Sequence, residues 1–144
     1  MHPLTTIAVR DATIHDIPVI LSIKSAFEQL ADRDQVDYHE YYLHLLRDGM
    51  ILIADVEGHL SGYIACEDHH SLCYISDAGV VLSEHRHGIF SALAIALESR
   101  IRTKGFRRVV CHVKETNNIM IEILEKKLHF KRGDRYVLFS REND

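Results

Sequence analysis

Residues 83–88 read SEHRHG. They follow an apolar run at 79–82 (GVVL) and precede a segment in which Ile89, Leu93, Ala96, Leu97 and Ile101 recur at helical spacing. A plain strand-to-helix connection needs only a turn, yet this one carries His85, Arg86, His87 and Gly88. A helix N-terminus offers unpaired N–H donors and about half a positive charge. Cationic side chains and a glycine beside it therefore describe a cradle for phosphate. Gly88 lets a ligand come close to the backbone, and Val80, Val81 and Leu82 can lie alongside an extended ligand arm. The loop has neither the lysine-serine/threonine ending of a P-loop nor a G-x-G-x-x-G run. An ordinary basic surface loop is the competing reading.

The elements that must hold this junction follow from composition and periodicity. The 144 residues are 47% apolar and 26% charged, which fits one globular domain spanning 1–144. The first residues lack the apolar core of a signal peptide, and no apolar run approaches a membrane span. The formal net charge of −4 argues against a nucleic-acid partner. Cys66, Cys73 and Cys111 are odd in number and have apolar neighbours, so buried thiols and a cytoplasmic location are expected. Eleven histidines include the adjacent His69 and His70 and the His85/His87 pair, but no Cys/His set has ligand spacing, and no metal is expected.

Along the chain, 6–11 reads as a strand. Thr13 and Asp16 form a capping box for a helix carrying Ile17, Ile20, Leu21, Ile23, Phe27 and Leu30. A second helix at 36–48 carries Tyr38, Tyr41, Tyr42, Leu45 and Leu46. Strands at 50–56 and 60–66 are joined by a Glu57-Gly58 hairpin turn. Residues 67–71 read as a polar turn, and 72–82 as a strand with a bulge at Gly79. A helix closed by Gly105, a strand at 107–113, a helix at 117–128 and a last strand at 135–141 complete the chain. The order β-α-α-β-β-β-α-β-α-β gives an α+β or mixed α/β class.

This order, with the phosphate loop placed after a hairpin-rich first half, resembles the GNAT superfamily of acyl-CoA-dependent N-acyltransferases. The family's pyrophosphate loop, Arg/Gln-x-x-Gly-x-Gly/Ala, matches residues His85 to Phe90. "IAVRDATIHDIPVI" is similar to its opening strand and helix, and "ILIADVEGHLSGYIAC" to its second and third strands. "KGFRRVVCHVKETNNIMIEILEKKLHFKR" is similar to its late strand, asparagine, helix and ending. The likeness runs from about residue 7 to 140. His85 stands where arginine or glutamine is usual, Phe90 where a small residue is usual, Glu125 where many members carry a tyrosine, and His129 in place of a glycine.

The resemblance implies a central, mostly antiparallel sheet of six to seven strands flanked by about four helices. It implies acetyl-CoA as the acyl donor, held by Val80, Val81, Leu82, His85, Arg86, His87, Gly88, Ile89, Phe90, Ser91 and Asn118. Asn118 also reads as a helix N-cap. The implied reaction is direct attack of an amine on the thioester, which needs a base for the amine, a donor for the oxyanion and an acid for the thiolate. Asp77, alone in an apolar strand, is the first choice of base, with Glu67 second. Asp77 as a carboxylate on a solvated sheet face is the alternative.

Glu125 takes the acid's position, with Tyr136 and His112 as weaker choices. Glu125 also reads as a plain surface glutamate. Tyr38 and Tyr41 lie where the family covers its acceptor, a small-molecule or peptide amine, although tyrosines at this helical spacing are more often core and interface. A homodimer through the terminal strands is implied as well. The departures at 85, 90 and 125 leave a second function open, that of a binding or inhibitory protein that keeps the fold without turnover.

Overall fold

The computed structural model of the chain describes residues 6–28, 38–81 and 88–134, together with 137, 139 and 141. The chain forms two compact units, Met1–His112 and Val113–Asp144.

In the first unit, β1 (Ile7–Asp11), β2 (Met50–Val56), β3 (His59–His69), β4 (Leu72–Val80) and β5 (Arg108–Cys111) make one sheet in sequence order. The pairs β1–β2, β2–β3 and β3–β4 are antiparallel, and β4–β5 is parallel. The class is the mixed α+β one that the sequence order implies. The described residues hold five strands rather than six to seven, and the expected strand at 135–141 includes positions outside them. The helices of this unit are α1 (Ile17–Glu28), α2 (Tyr38–Asp48) and α3 (Ile89–Lys104). No helix of the described residues is long and apolar enough to cross a membrane.

Strand alternation sorts the core into two layers. Met50, Leu52, Ala54, Val56, Ile64 and Cys66 pack with Ile89, Leu93 and Leu97 of α3. Ile51, Ile53, Tyr63 and Ala65 face the other way and pack with Ile17, Ile20 and Ile23 of α1 and Tyr42 and Leu45 of α2. The apolar stripes read from the sequence are thus the buried ones. Phe27 and Leu30 fall outside the described side chains.

Local chemistry sets the element ends. Glu57 and Gly58 both have positive φ, 52° and 81°, as a two-residue hairpin turn requires. The Thr13 N–H donates to Asp16 Oδ2 at 2.8 Å, opening a short 3₁₀ turn (Ile14–Asp16) that leads into α1. Arg10 locks this corner, with Nη1 2.8 Å from Asp16 Oδ2 and Nε 2.6 Å from Asp55 Oδ2. The guanidinium holds the Asp16 carboxyl below its usual range, against the opposing effect of burial. Gly105, at φ 78°, closes α3 as expected.

Two features of β3 and β4 differ from the expectation. The polar stretch 67–71 is not wholly a turn, because β3 continues to His69 and only His70 and Ser71 turn. The bulge does not fall at Gly79, which pairs regularly with Tyr63. The register instead shifts between Ala65, opposite Asp77, and Cys66, opposite Ile75, which leaves Ser76 as the extra residue. Gly79 is small for a different reason. A Cβ there would stand 2.8 Å from Ile23 Cγ2 and 2.9 Å from Tyr63 Cε1.

In the second unit, α4 (Asn118–Glu122) runs on into a π turn at Ile123–Lys127. Its cap is Asn117 rather than Asn118. The Asn117 side chain accepts from the Met120 N–H at 3.2 Å, and Asn118 is the first helical residue. The helix ends at His129, a non-glycine residue at φ 58°, after which the Phe130 N–H bonds Leu124 C=O at 2.8 Å.

Candidate active site

The bulge at Ser76 reverses the facing of β4. Before it, Cys73 and Ile75 point to the α3 layer; after it, Ala78 and Val80 do. Asp77 is therefore turned out of the α3 layer and onto the face covered by α1 and α2. There its Oδ2 accepts from three donors. These are the Tyr42 hydroxyl, the Tyr63 hydroxyl at 2.7 Å and Lys24 Nζ at 3.5 Å. The rings of Tyr42 and Tyr63 meet edge to face at 6.3 Å, and Lys24 Nζ sits 4.3 Å from the centre of the Tyr38 ring. Burial, with the Asp77 charge second, pushes the Tyr42 phenol far up, so it remains a donor.

A second carboxylate lies on the same face. Glu67 Oε2 accepts from the Tyr41 hydroxyl at 2.6 Å, and Oε1 lies 2.9 Å from His69 Nε2. The Tyr41 bond holds the Glu67 carboxyl below its usual range. Burial, and then that same bond, raises the Tyr41 phenol. Tyr38 and Tyr41, expected near an acceptor, thus stand beside both carboxylates, with their rings 6.5 Å apart.

Among the described residues, β4 and β5 part at the same place. β5 pairs with β4 from Leu72–Arg108 as far as Ile75–Cys111, while β4 continues to Val80. The Val81 N–H donates to Ser61 C=O at 2.8 Å, which fixes the parity of the β3–β4 ladder. By that parity Asp77, Gly79 and Val81 bond toward β3, and the backbone groups of Ala78 point away from it.

Beyond β4, Gly88 takes φ 74° and begins α3, and a Cβ there would meet nothing within 4 Å. The Ala92 N–H bonds Gly88 C=O at 3.1 Å, so the amides of Ile89, Phe90 and Ser91 precede the first intrahelical donor. The Ile89 side chain itself is buried against Gly62, whose absent Cβ would lie 2.7 Å from it, while Phe90 and Ser91 are half-buried. Leu82, His85, Arg86 and His87 lie outside the described residues, as does Tyr136.

In the second unit, Glu125 Oε1 is held by Arg132 Nη2 at 2.7 Å, and Asn118 sits at the start of α4. No group of three or more His, Cys, Asp or Glu suited to a metal occurs among the described residues.

The sequence singled out Asp77, Glu67, Tyr38 and Tyr41, and the structure adds Lys24, Tyr42 and Tyr63 as hydrogen-bond partners of Asp77. Lys24 did leave a signal, since it lies four residues after Ile20 on the buried stripe of α1.

The chain belongs to the acetyltransferase (GNAT) family, whose model matches residues 18–130. Its fold is that of several solved structures. Aminoglycoside N-acetyltransferase AAC(6')-Iy, in complex with CoA, is 16% identical with a TM-score of 0.77, over 96% of this chain and 97% of that one. A ribosomal-protein-alanine N-acetyltransferase from Brucella melitensis biovar Abortus 2308 is 16% identical with a TM-score of 0.74, over 95% and 100%. A transcriptional regulator from Bacillus halodurans C-125 is 14% identical with a TM-score of 0.78, over 94% and 100%. No curated protein matches the chain by sequence.

Proposed function

We propose that the chain, acting as a single domain, moves an acetyl group from acetyl-CoA to a primary amine by direct attack on the thioester. The observation that carries this reading is the bulge at Ser76. It turns Asp77 toward the tyrosines on one side while the β4–β5 ladder opens on the other. The complexes of AAC(6')-Iy with CoA and with a CoA-S-monomethyl-acetylneamine bisubstrate analogue support the choice of donor.

The residues present fit such a donor. Residues 76–79 extend β4 past its last pair with β5 by roughly 13 Å at about 3.3 Å per residue, a length suited to part of a pantetheine arm. Val80 and Val81 flank that arm. The space around Gly88 and the amides of Ile89, Phe90 and Ser91 suit its pyrophosphate. The Ala78 N–H faces the position where the thioester oxygen gains charge, the kind of donor whose loss typically costs about 100- to 1000-fold. Asp77 Oδ1 takes the proton of the attacking amine, while Tyr42, Tyr63 and Lys24 fix Oδ2 and the orientation of the carboxylate. Glu67, held charged by Tyr41, attracts the acceptor as an ammonium. The names of the neighbours, an aminoglycoside and a ribosomal-protein-alanine N-acetyltransferase, make an aminoglycoside and an alanine-bearing peptide the first acceptors to try.

Calorimetry with acetyl-CoA and with CoA, followed by a thiol-release assay on an aminoglycoside, a polyamine and an alanine-starting peptide, tests the reading. Binding with release on any acceptor supports it, and absence of binding overturns it. One observation favours the alternative of a binding or inhibitory protein. Glu125, at the position of the family's acid, is tied up by Arg132. Binding of acetyl-CoA with release on no acceptor supports that alternative.

A further inference from the structure

Glu125 Oε1 is engaged by Arg132 at 2.7 Å, and another donor for the departing thiolate is worth seeking. One pair stands where β4 and β5 part. Tyr74, on β4, lies directly opposite Glu67 on β3 and beside Val110 on β5. Its hydroxyl is 3.0 Å from Nδ1 of His112, the residue after β5, and the two rings meet at 5.6 Å and 63°. Both residues adjoin Ile75 and Cys111, the last pair of the ladder. Strand alternation puts Tyr74 on the face of Glu67, which is the face of the acceptor residues. Tyr74 is half-buried and His112 is exposed, so a proton can pass from solvent through the imidazole to the phenol.

We propose that Tyr74, backed by His112, is the proton donor to the CoA thiolate. This rests on the acetyl-CoA reading given above. As the amine nitrogen bonds the acyl carbon and the C–S bond breaks, the Tyr74 O–H bond breaks and an S–H bond forms. The phenolate then takes the Nδ1 proton of His112, and His112 recovers one from water. The proton lost by the ammonium leaves through Asp77, so protons balance at sulfur and nitrogen separately.

The groups facing Tyr74 keep it protonated until that moment. Burial raises its phenol first, then the Glu67 charge from β3 and Cys111 from β5. Glu67 is in turn engaged by Tyr41 from α2 and by His69.

The test uses CoA itself and needs no acceptor. The bound thiol is titrated by the ultraviolet absorbance of its thiolate, as a difference against CoA-free protein. A phenol donating to the thiolate lowers the thiol's apparent pKa. Tyr74→Phe is therefore expected to raise it by about one unit, the size of one charge-assisted hydrogen bond. His112→Ala is expected to raise it by a smaller amount. Identical titrations in wild type and Tyr74→Phe overturn the proposal and leave the acetyl-CoA reading standing. Failure of the wild type to bind CoA overturns both. If Tyr74→Phe does not fold, His112→Ala decides, and an unchanged titration in that variant overturns the proposal.

Discussion

The Tyr41 hydroxyl lies 2.6 Å from Glu67 Oε2, while the next tyrosine of the same helix, Tyr42, donates to Asp77. One turn of α2 thus clamps two carboxylates that stand on different strands. Because a helix places consecutive residues about 100° apart, the pair can reach both only by straddling the line where α2 meets the sheet.

The Tyr41–Glu67 bond makes stability depend on acid. The folded pKa of Glu67 is depressed, so its contribution is fully present above the ordinary glutamate value and is lost as pH falls through the folded one. Tyr41→Phe is expected to cost roughly 1 kcal/mol at neutral pH. The gap to wild type should shrink below about pH 4 as Glu67 protonates in both proteins. Urea unfolding across pH measures the gap, and a gap that widens in acid contradicts the assignment.

Asp77→Asn keeps the shape but removes the charge that Lys24 and two phenols address. With Lys24 only 11% exposed, a loss of about 1 to 3 kcal/mol in stability is expected. If Asp77 is the base, kcat also falls by about 100- to 10,000-fold. Acetyl-CoA affinity, read by calorimetry, should stay within about twofold.

Two glycines respond differently to alanine. Gly88 has open space but φ 74°, so Gly88→Ala costs about 1 to 2 kcal/mol through backbone strain alone. Gly79 lies beside Ile23 and Tyr63, and Gly79→Ala forces those side chains to move at a cost of about 1 to 3 kcal/mol. Only the second change disturbs the Tyr63 bond to Asp77, which the Tyr63 ring signals in an NMR spectrum would report.

His129 occupies a left-handed position in which the family carries glycine. His129→Gly is therefore expected to stabilise the protein by about 0.5 to 1 kcal/mol, seen as a higher melting temperature. An unchanged or lower melting temperature contradicts the strain argument.

Helix α1 and strand β2 were legible in the sequence because Ile17, Ile20 and Ile23, or Met50, Leu52 and Ala54, carry their own periods. The Glu57-Gly58 turn was legible for the same local reason. The bulge was misplaced because glycine often marks one, whereas Gly79 answers to a crowded neighbour that only the folded chain supplies. β3 runs past 66 because pairing continues to His69↔Leu72, and polar side chains on an exposed strand end look like a turn. Asp77 stood out as a lone acid, but its partners Tyr63 and Lys24 are 14 and 53 positions away, and no local pattern announces them.

Ser76 works as a frameshift in three dimensions. Closing the strand over it would make Cys66↔Ile75 and Ala65↔Asp77 consecutive regular pairs, with Asp77 still facing the tyrosines and Ala78 still facing α3. Straightening the strand with Ser76 taken into the ladder would instead invert every side chain after it and drive Asp77 toward the α3 layer. The carboxylate therefore keeps its place because Ser76 is counted out of the pairing. An alignment that treats Ser76 as a paired position would match the wrong residues of β3 and β4.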